Sequence, residues 1–215
     1  PLPVSLNTVP LPVTKWQKSA AQKTYDTNLR LQKANSSEFQ QTDIIPSVKK
    51  VIPAKGEILL EKQLALTFHE DFANEGKLLK EKLSGIYGLE IVPEAPVTIV
   101  LDYLPTGKKA VNEEYYELNI TDEKVKICSN TSHGIFNGTQ TLLGLLKGQE
   151  GGKGQKAPLR LHAISIQDYP NLLYRGQMLD ISRNYTTVDN LKKLIDVLSS
   201  YKMNVLHLHF SDDEG

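Results

Sequence analysis

Tyr174-Arg-Gly-Gln-Met-Leu-Asp-Ile-Ser182 and, after one helical stretch, Asn204-Val-Leu-His-Leu-His-Phe-Ser-Asp-Asp213 decide how this chain folds. The second run is apolar in its middle (Val205, Leu206, Leu208, Phe210) and ends in Ser211, Asp212, Asp213 and Glu214. Parallel-sheet enzymes build their sites at the carboxyl ends of strands, where these carboxylates fall. Between the runs, Thr187 suits a helix N-cap and Asp189 the first turn, where a carboxylate favours the helix dipole. Val188, Leu191, Leu194, Ile195, Leu198 and Tyr201 then form one apolar stripe. The second run begins about 30 residues after the first, the period of one unit in a (β/α)8 barrel of ~250 residues. Residues 171–215 thus read as the first β-α-β of an incomplete barrel. A parallel sheet needs both faces covered and its edges closed, so some six further units, on the order of 200 residues, are expected beyond Gly215.

Upstream, residues 43–170 read as a small α+β domain. Ile58-Leu-Leu60, Leu64–Phe68, Val97–Leu101, Tyr115–Ile120, Lys124–Cys128 and Leu159–Ile166 have strand character, and Thr121-Asp-Glu123 is short enough for a hairpin. Two stretches switch to the helical period. Phe72–Ile86 runs into Gly85 and Gly88, and a helix carrying Ile135, Phe136, Thr139, Leu142, Leu143, Leu145 and Leu146 packs on the sheet and ends at Lys147-Gly148. Asp168-Tyr-Pro170 breaks the last strand. Gly151-Gly-Lys-Gly154 lacks the spacing and preceding strand of a phosphate-binding loop. Residues 1–42 are a Pro-, Gln-, Ser- and Thr-rich polar tail left unassigned, with a helix expected near Lys15–Lys33.

Composition excludes several classes. Lys plus Arg (25) equals Asp plus Glu (25), so no field draws the chain to nucleic acid, and nucleic-acid binding is not expected. No stretch approaches the roughly 20 apolar residues of a membrane span. The first residues lack a signal-peptide layout, so the chain reads as a mature or a trimmed form. Sequons at Asn35, Asn119, Asn130, Asn137 and Asn184 point toward an exported protein, periplasmic, secreted or lysosome-like. The single cysteine, Cys128, rules out an internal disulfide and reads as a buried thiol rather than a nucleophile.

Strand parity sorts the polar residues. Arg175, Gln177, Leu179 and Ile181 share one face, and Met178, Asp180 and Ser182 the other. Asp180 suits an ion pair with Arg183. Arg175 lies early in its strand, yet its guanidinium fork could run inside a barrel toward sugar hydroxyls. His207 and His209 share a face, while Asp212 and Glu214 take the opposite parity if the strand continues. A third ligand with nearby spacing is absent, so the His pair reads as part of a polar barrel layer and no metal is expected. Asp212 and Asp213 are the foremost site candidates, with helix capping or loop bracing as the alternative.

Arg175-Gly-Gln-Met-Leu-Asp-Ile-Ser-Arg183, Tyr201-Lys-Met-Asn-Val-Leu-His-Leu-His209 and Ser211-Asp-Asp-Glu-Gly215 together resemble the first two barrel strands of glycoside hydrolase family 20, the β-N-acetylhexosaminidases. Ile120-Thr-Asp-Glu-Lys-Val125 and Gly134-Ile-Phe-Asn-Gly-Thr-Gln-Thr-Leu-Leu143 resemble that family's accessory domain. The resemblance implies exo-hydrolysis of terminal GlcNAc or GalNAc from a glycan or chitooligosaccharide. It also implies a retaining mechanism in which the substrate's own acetamido oxygen attacks C1. The Asp that orients the acetamido group and the Glu that is general acid fall on a later strand, beyond Gly215, so no catalytic residue is expected within these residues and the chain by itself is expected to be inactive. Arg175 matches the arginine that binds the sugar's hydroxyls, and Asp212 the aspartate supporting a histidine coupled to the acid. His209 and Asp213 match motif positions. No metal or organic cofactor is implied. Where the family commonly has Arg-His, this chain has Arg183-Asn184, a departure that removes any imidazole contact there. The competing reading is a noncatalytic accessory or interaction fragment of a barrel protein.

Overall fold

The computed structural model of the chain describes residues 44–147, 149 and 158–212. The polar stretch 1–42 with its expected helix, the Gly151–Gly154 loop and Asp213 lie outside them. In order come β1 (Lys50–Leu60), β2 (Gln63–Phe68), a 3-10 turn (Glu70–Phe72), α1 (Ala73–Tyr87), β3 (Glu90–Val92), β4 (Thr98–Asp102), β5 (Tyr116–Ile120) and β6 (Lys124–Cys128). They are followed by α2 (Ser132–Leu146), β7 (Leu159–Asp168), β8 (Gly176–Asp180), α3 (Val188–Ser200) and β9 (Val205–His209).

Seven strands form one mixed sheet in the order β1-β7-β5-β6-β4-β2-β3. β3, β2, β4 and β6 run parallel, and β6, β5, β7 and β1 pair antiparallel. Period-2 alternation explains its core: Ile99, Leu101, Val125, Ile127, Leu118 and Ile120 are buried, while Thr98, Val100, Lys124, Lys126 and Asn119 on the other parity stay more exposed. Leu79 and Leu83 of α1 and Ile135, Leu142 and Leu146 of α2 complete that core. Gly134 and Gly138, one turn apart, let α2 lie against β5 and β6, because a Cβ at the first would strike Ser129 and Tyr115 and at the second Ile127. Gly88, at φ 67°, ends α1 with its N–H on the carbonyls of Leu83 and Ser84.

Four elements differ from the sequence-based expectation. β1 begins at Lys50, eight residues before Ile58, and runs antiparallel to β7 past a register shift between Pro53 and Glu57, with Gly56 at φ 110°. β3 was not expected and is only three residues long. β8 and β9 are each shorter at both ends than Tyr174–Ser182 and Asn204–Phe210.

β8 and β9 form a parallel pair in register Gly176↔Val205 to Asp180↔His209, joined by α3. Thr187 caps α3 by accepting the Asn190 N–H, with Asp189 in the first turn. The fold is thus an α+β layer followed by a parallel β-α-β unit. No residue of α3 is buried: Leu191, Leu194 and Leu198 of its apolar stripe are half-buried, while Val188, Ile195 and Tyr201 are exposed. Among the described residues no helix is long and apolar enough to cross a membrane.

Candidate active site

Asp180 ends β8 and His209 ends β9, opposite each other in the register. Asp180 accepts the backbone N–H groups of Ser182 and Arg183, both at 3.0 Å, so the chain turns away from the sheet. Its other oxygen lies 3.3 Å from the Arg183 guanidinium, the pairing its sequence position suggested. The Arg183 N–H, aided by the Ser182 N–H and the charges of His209 and Arg183, outweighs burial and holds the Asp180 carboxyl below its ordinary range.

Asp212 was expected on the parity opposite His209. The strand stops at His209 instead, and the chain curls so that Asp212 Oδ2 lies 3.3 Å from His209 Nε2. The same oxygen pairs with Arg183. One carboxylate therefore faces an imidazole and a guanidinium together. Asp180, His209 and Asp212 have ligand atoms within 4.8 Å of one another, but Arg183 already supplies the cation between the two carboxylates. Asp180, held below its ordinary range, does not suit a general acid, which must keep its proton at neutral pH, and Asp212 is engaged by His209 and Arg183. Their geometry fits orientation and charge support. His207, expected beside His209 in a polar layer, is exposed.

Arg175 lies at the opposite end of β8, about 16 Å from Asp180 at ~3.3 Å per residue. Its guanidinium, expected to offer its fork to sugar hydroxyls, is engaged by the protein. Nη1 donates to Glu114 Oε1 at 3.1 Å and to the Leu172 carbonyl at 2.7 Å, Nη2 donates to Glu114 Oε2, and Nε donates to the Lys202 carbonyl at 2.8 Å. These contacts use four of its five N–H groups. Both side chains of the pair are 15 % exposed. Burial opposes ionisation of Glu114, but hydrogen bonds from Arg175 and Asn137 and the nearby positive charge prevail and hold its carboxyl below the ordinary range.

A second polar knot joins the unit to the layer. Lys202, at φ 57°, is buried and puts Nζ 2.9 Å from both Asp168 Oδ2 and Tyr116 OH. Tyr116 OH also donates to Asp168 at 3.0 Å and meets Thr141 Oγ1 at 2.6 Å. The sequence reading passed over Glu114 and Lys202 because their partners are distant in the chain. Cys128 is buried, and burial pushes its thiol up, as suits an inert side chain. Asn137 is buried with its amide on Glu114, so that sequon is closed, whereas Asn130 and Asn184 are exposed.

A mixed α+β layer abutting a parallel strand–helix–strand unit with polar groups at its strand ends is the arrangement of an accessory layer joined to the opening unit of a (β/α)8 barrel. Residues 41–169 match "Glycosyl hydrolase family 20, domain 2" and residues 172–215 match "Glycosyl hydrolase family 20, catalytic domain". The chain belongs to glycosyl hydrolase family 20. It is 28% identical over 174 residues to N,N'-diacetylchitobiase of Vibrio harveyi, covering 81% of this chain and 19% of that protein. With a beta-hexosaminidase of Porphyromonas gingivalis it shares 36% identity over 150 residues, covering 68% and 19%. The crystal structure of the exo beta-N-acetylglucosaminidase of Vibrio harveyi in complex with N-acetylglucosamine superposes with a TM-score of 0.69 at 30% identity, over 84% of this chain and 27% of that one. That of the Streptomyces coelicolor beta-N-acetylhexosaminidase gives 0.72 at 28%, over 84% and 37%. The chain thus spans about a fifth of the length of the N,N'-diacetylchitobiase and of the Porphyromonas gingivalis beta-hexosaminidase.

Proposed function

We propose that this chain is the amino-terminal part of an exo-acting β-N-acetylhexosaminidase that removes terminal GlcNAc or GalNAc from a glycan or chitooligosaccharide. Membership of the family supports the reaction class, and the named relatives support the sugar. The observation that carries the site is the Asp212 carboxylate shared by His209 and Arg183 at the strand ends. In this reading Asp212 supports a histidine coupled to the general acid, with His209 beside it, and the acid and acetamido-orienting carboxylates come from a later strand. Arg183, with its side chain 59% exposed at that end, is favoured over Arg175 for contact with the sugar hydroxyls, because the Arg175 donors are already committed to the protein. Export to a periplasmic, secreted or lysosome-like location belongs to the same reading, since such polymers lie outside the cytoplasm.

The test is hydrolysis of an aryl β-N-acetylglucosaminide by the protein carrying the whole barrel, with the corresponding β-glucoside left intact. Residues 1–215 by themselves are expected to hydrolyse neither. Equal turnover of both substrates by the whole protein would remove the acetamido-assisted mechanism.

A further inference from the structure

We infer that Glu114, in the loop before β5, is a positioning residue for the strand-end site: by clamping Arg175 it fixes the register of β8 against β9. This rests on the hydrolase reading above. Arg175 is the shared node at the amino ends of both strands. Its N–H donates to Asn204 Oδ1 at 2.9 Å, and its carbonyl accepts the N–H groups of Asn204 at 3.0 Å and Val205 at 3.3 Å. The Asn204 amide returns to the Leu173 carbonyl at 2.7 Å. Through Nε the side chain also holds Lys202, just before β9. Glu114 grips this node with both carboxylate oxygens, and Asn137 of α2 steadies Glu114 at 2.9 Å.

The pairing that starts there, Gly176↔Val205, ends at Asp180↔His209, where the Ile181 N–H donates to the His209 carbonyl at 3.1 Å. Side chains alternate along a strand, so a slip of one residue would set Asp180 against Leu208 and turn His209 to the other face. Asp180, Arg183, His209 and Asp212 would then part. The α+β layer, whose strands hold none of these four residues, thereby sets the spacing between them.

In the complete enzyme, Glu114→Ala is expected to lower kcat on the aryl β-N-acetylglucosaminide at least tenfold, with KM changed less than threefold, measured well below the variant's own Tm. Glu114→Gln keeps one acceptor oxygen in place and is expected to recover at least a third of the wild-type kcat. Arg175→Lys keeps the charge but loses the fork, and a fivefold loss of kcat at similar KM is expected. Glu57→Gln, which removes one partner of the exposed Glu57–Arg160 pair, serves as the control and stays within twofold. The inference is overturned if Glu114→Ala, or Arg175→Lys should the alanine variant fail to fold, keeps kcat within twofold of wild type. A tenfold rise in KM for Arg175→Lys also overturns it, by making Arg175 a substrate contact. A wild-type enzyme inert toward the substrate sinks the hydrolase reading alone. The clamp is then judged by hydrogen exchange at the Ile181 amide, where faster exchange in Glu114→Ala upholds it and unchanged protection overturns it.

Discussion

The seven-stranded layer and the β8–α3–β9 unit carry the same kind of sequence signal and reach different ends. In the layer, alternation along β4, β5 and β6 and the apolar stripes of α1 and α2 meet across one interface, and Leu79, Leu83, Ile99, Leu118, Val125 and Ile127 are fully buried. The second unit has periodic strands, a capped helix and a clear stripe as well, yet Met178, Val188, Ile195, Val197 and Phe210 are each more than half exposed. Periodicity and capping are thus enough to form elements, whereas burial needs a partner surface. What holds the second unit to the first is mainly polar: the Glu114–Arg175 clamp and the buried Lys202–Asp168–Tyr116 knot.

The comparison breaks or sharpens under substitution. Lys202→Met leaves the Asp168 carboxylate buried beside Tyr116 without its cation, and should cost about 3–5 kcal/mol in urea unfolding if the polar knot carries the junction. Should it cost less than ~1 kcal/mol, the knot is incidental to the fold. Leu118→Ala opens a cavity in the layer and is expected to cost about 3 kcal/mol. Acid should loosen the Glu114 clamp. Its folded carboxyl titrates below the ordinary value of 4.5, so its contribution is present at neutral pH and is lost as the pH falls below about 4.5. In Glu114→Gln the acid limb of the stability profile should flatten, and an unchanged limb would remove the clamp from the balance. Smallest of all, Ile195→Ala on the exposed side of α3 is expected to shift stability by less than ~0.5 kcal/mol in the 215-residue chain. A loss as large as that at Leu118 would mean that this side of α3 is packed after all.

Much of the layer was legible because its signals are local. Lys124-Val-Lys-Ile-Cys128 alternates cleanly, and β6 has those ends. Gly88 marked the end of α1 because only glycine readily takes its left-handed conformation. β1 was half hidden, since Lys50–Glu57 contains proline, alanine, two lysines and glycine, and its strand conformation is imposed by β7 more than 100 positions later. The expected site residues Asp212 and His209 come together, which parity could not show, because it holds only while the strand continues and nothing in the local sequence announces that β9 stops at His209. For Arg175 the sequence shows a fork without its occupant, and Glu114 lies 61 positions away.

β1 closes one side of the large sheet in a way that resists edge-to-edge pairing. Its outer edge bears Lys50, Pro53, Lys55 and the kink at Gly56, so a neighbouring molecule cannot lay a regular strand along it. β8 and β9 have no proline or lysine, and each has an unpaired outer edge in this two-stranded sheet. When residues 1–215 are produced alone, clumping should therefore begin at the small sheet. A charged residue placed at Met178, rather than any change in β1, is the remedy that this difference recommends.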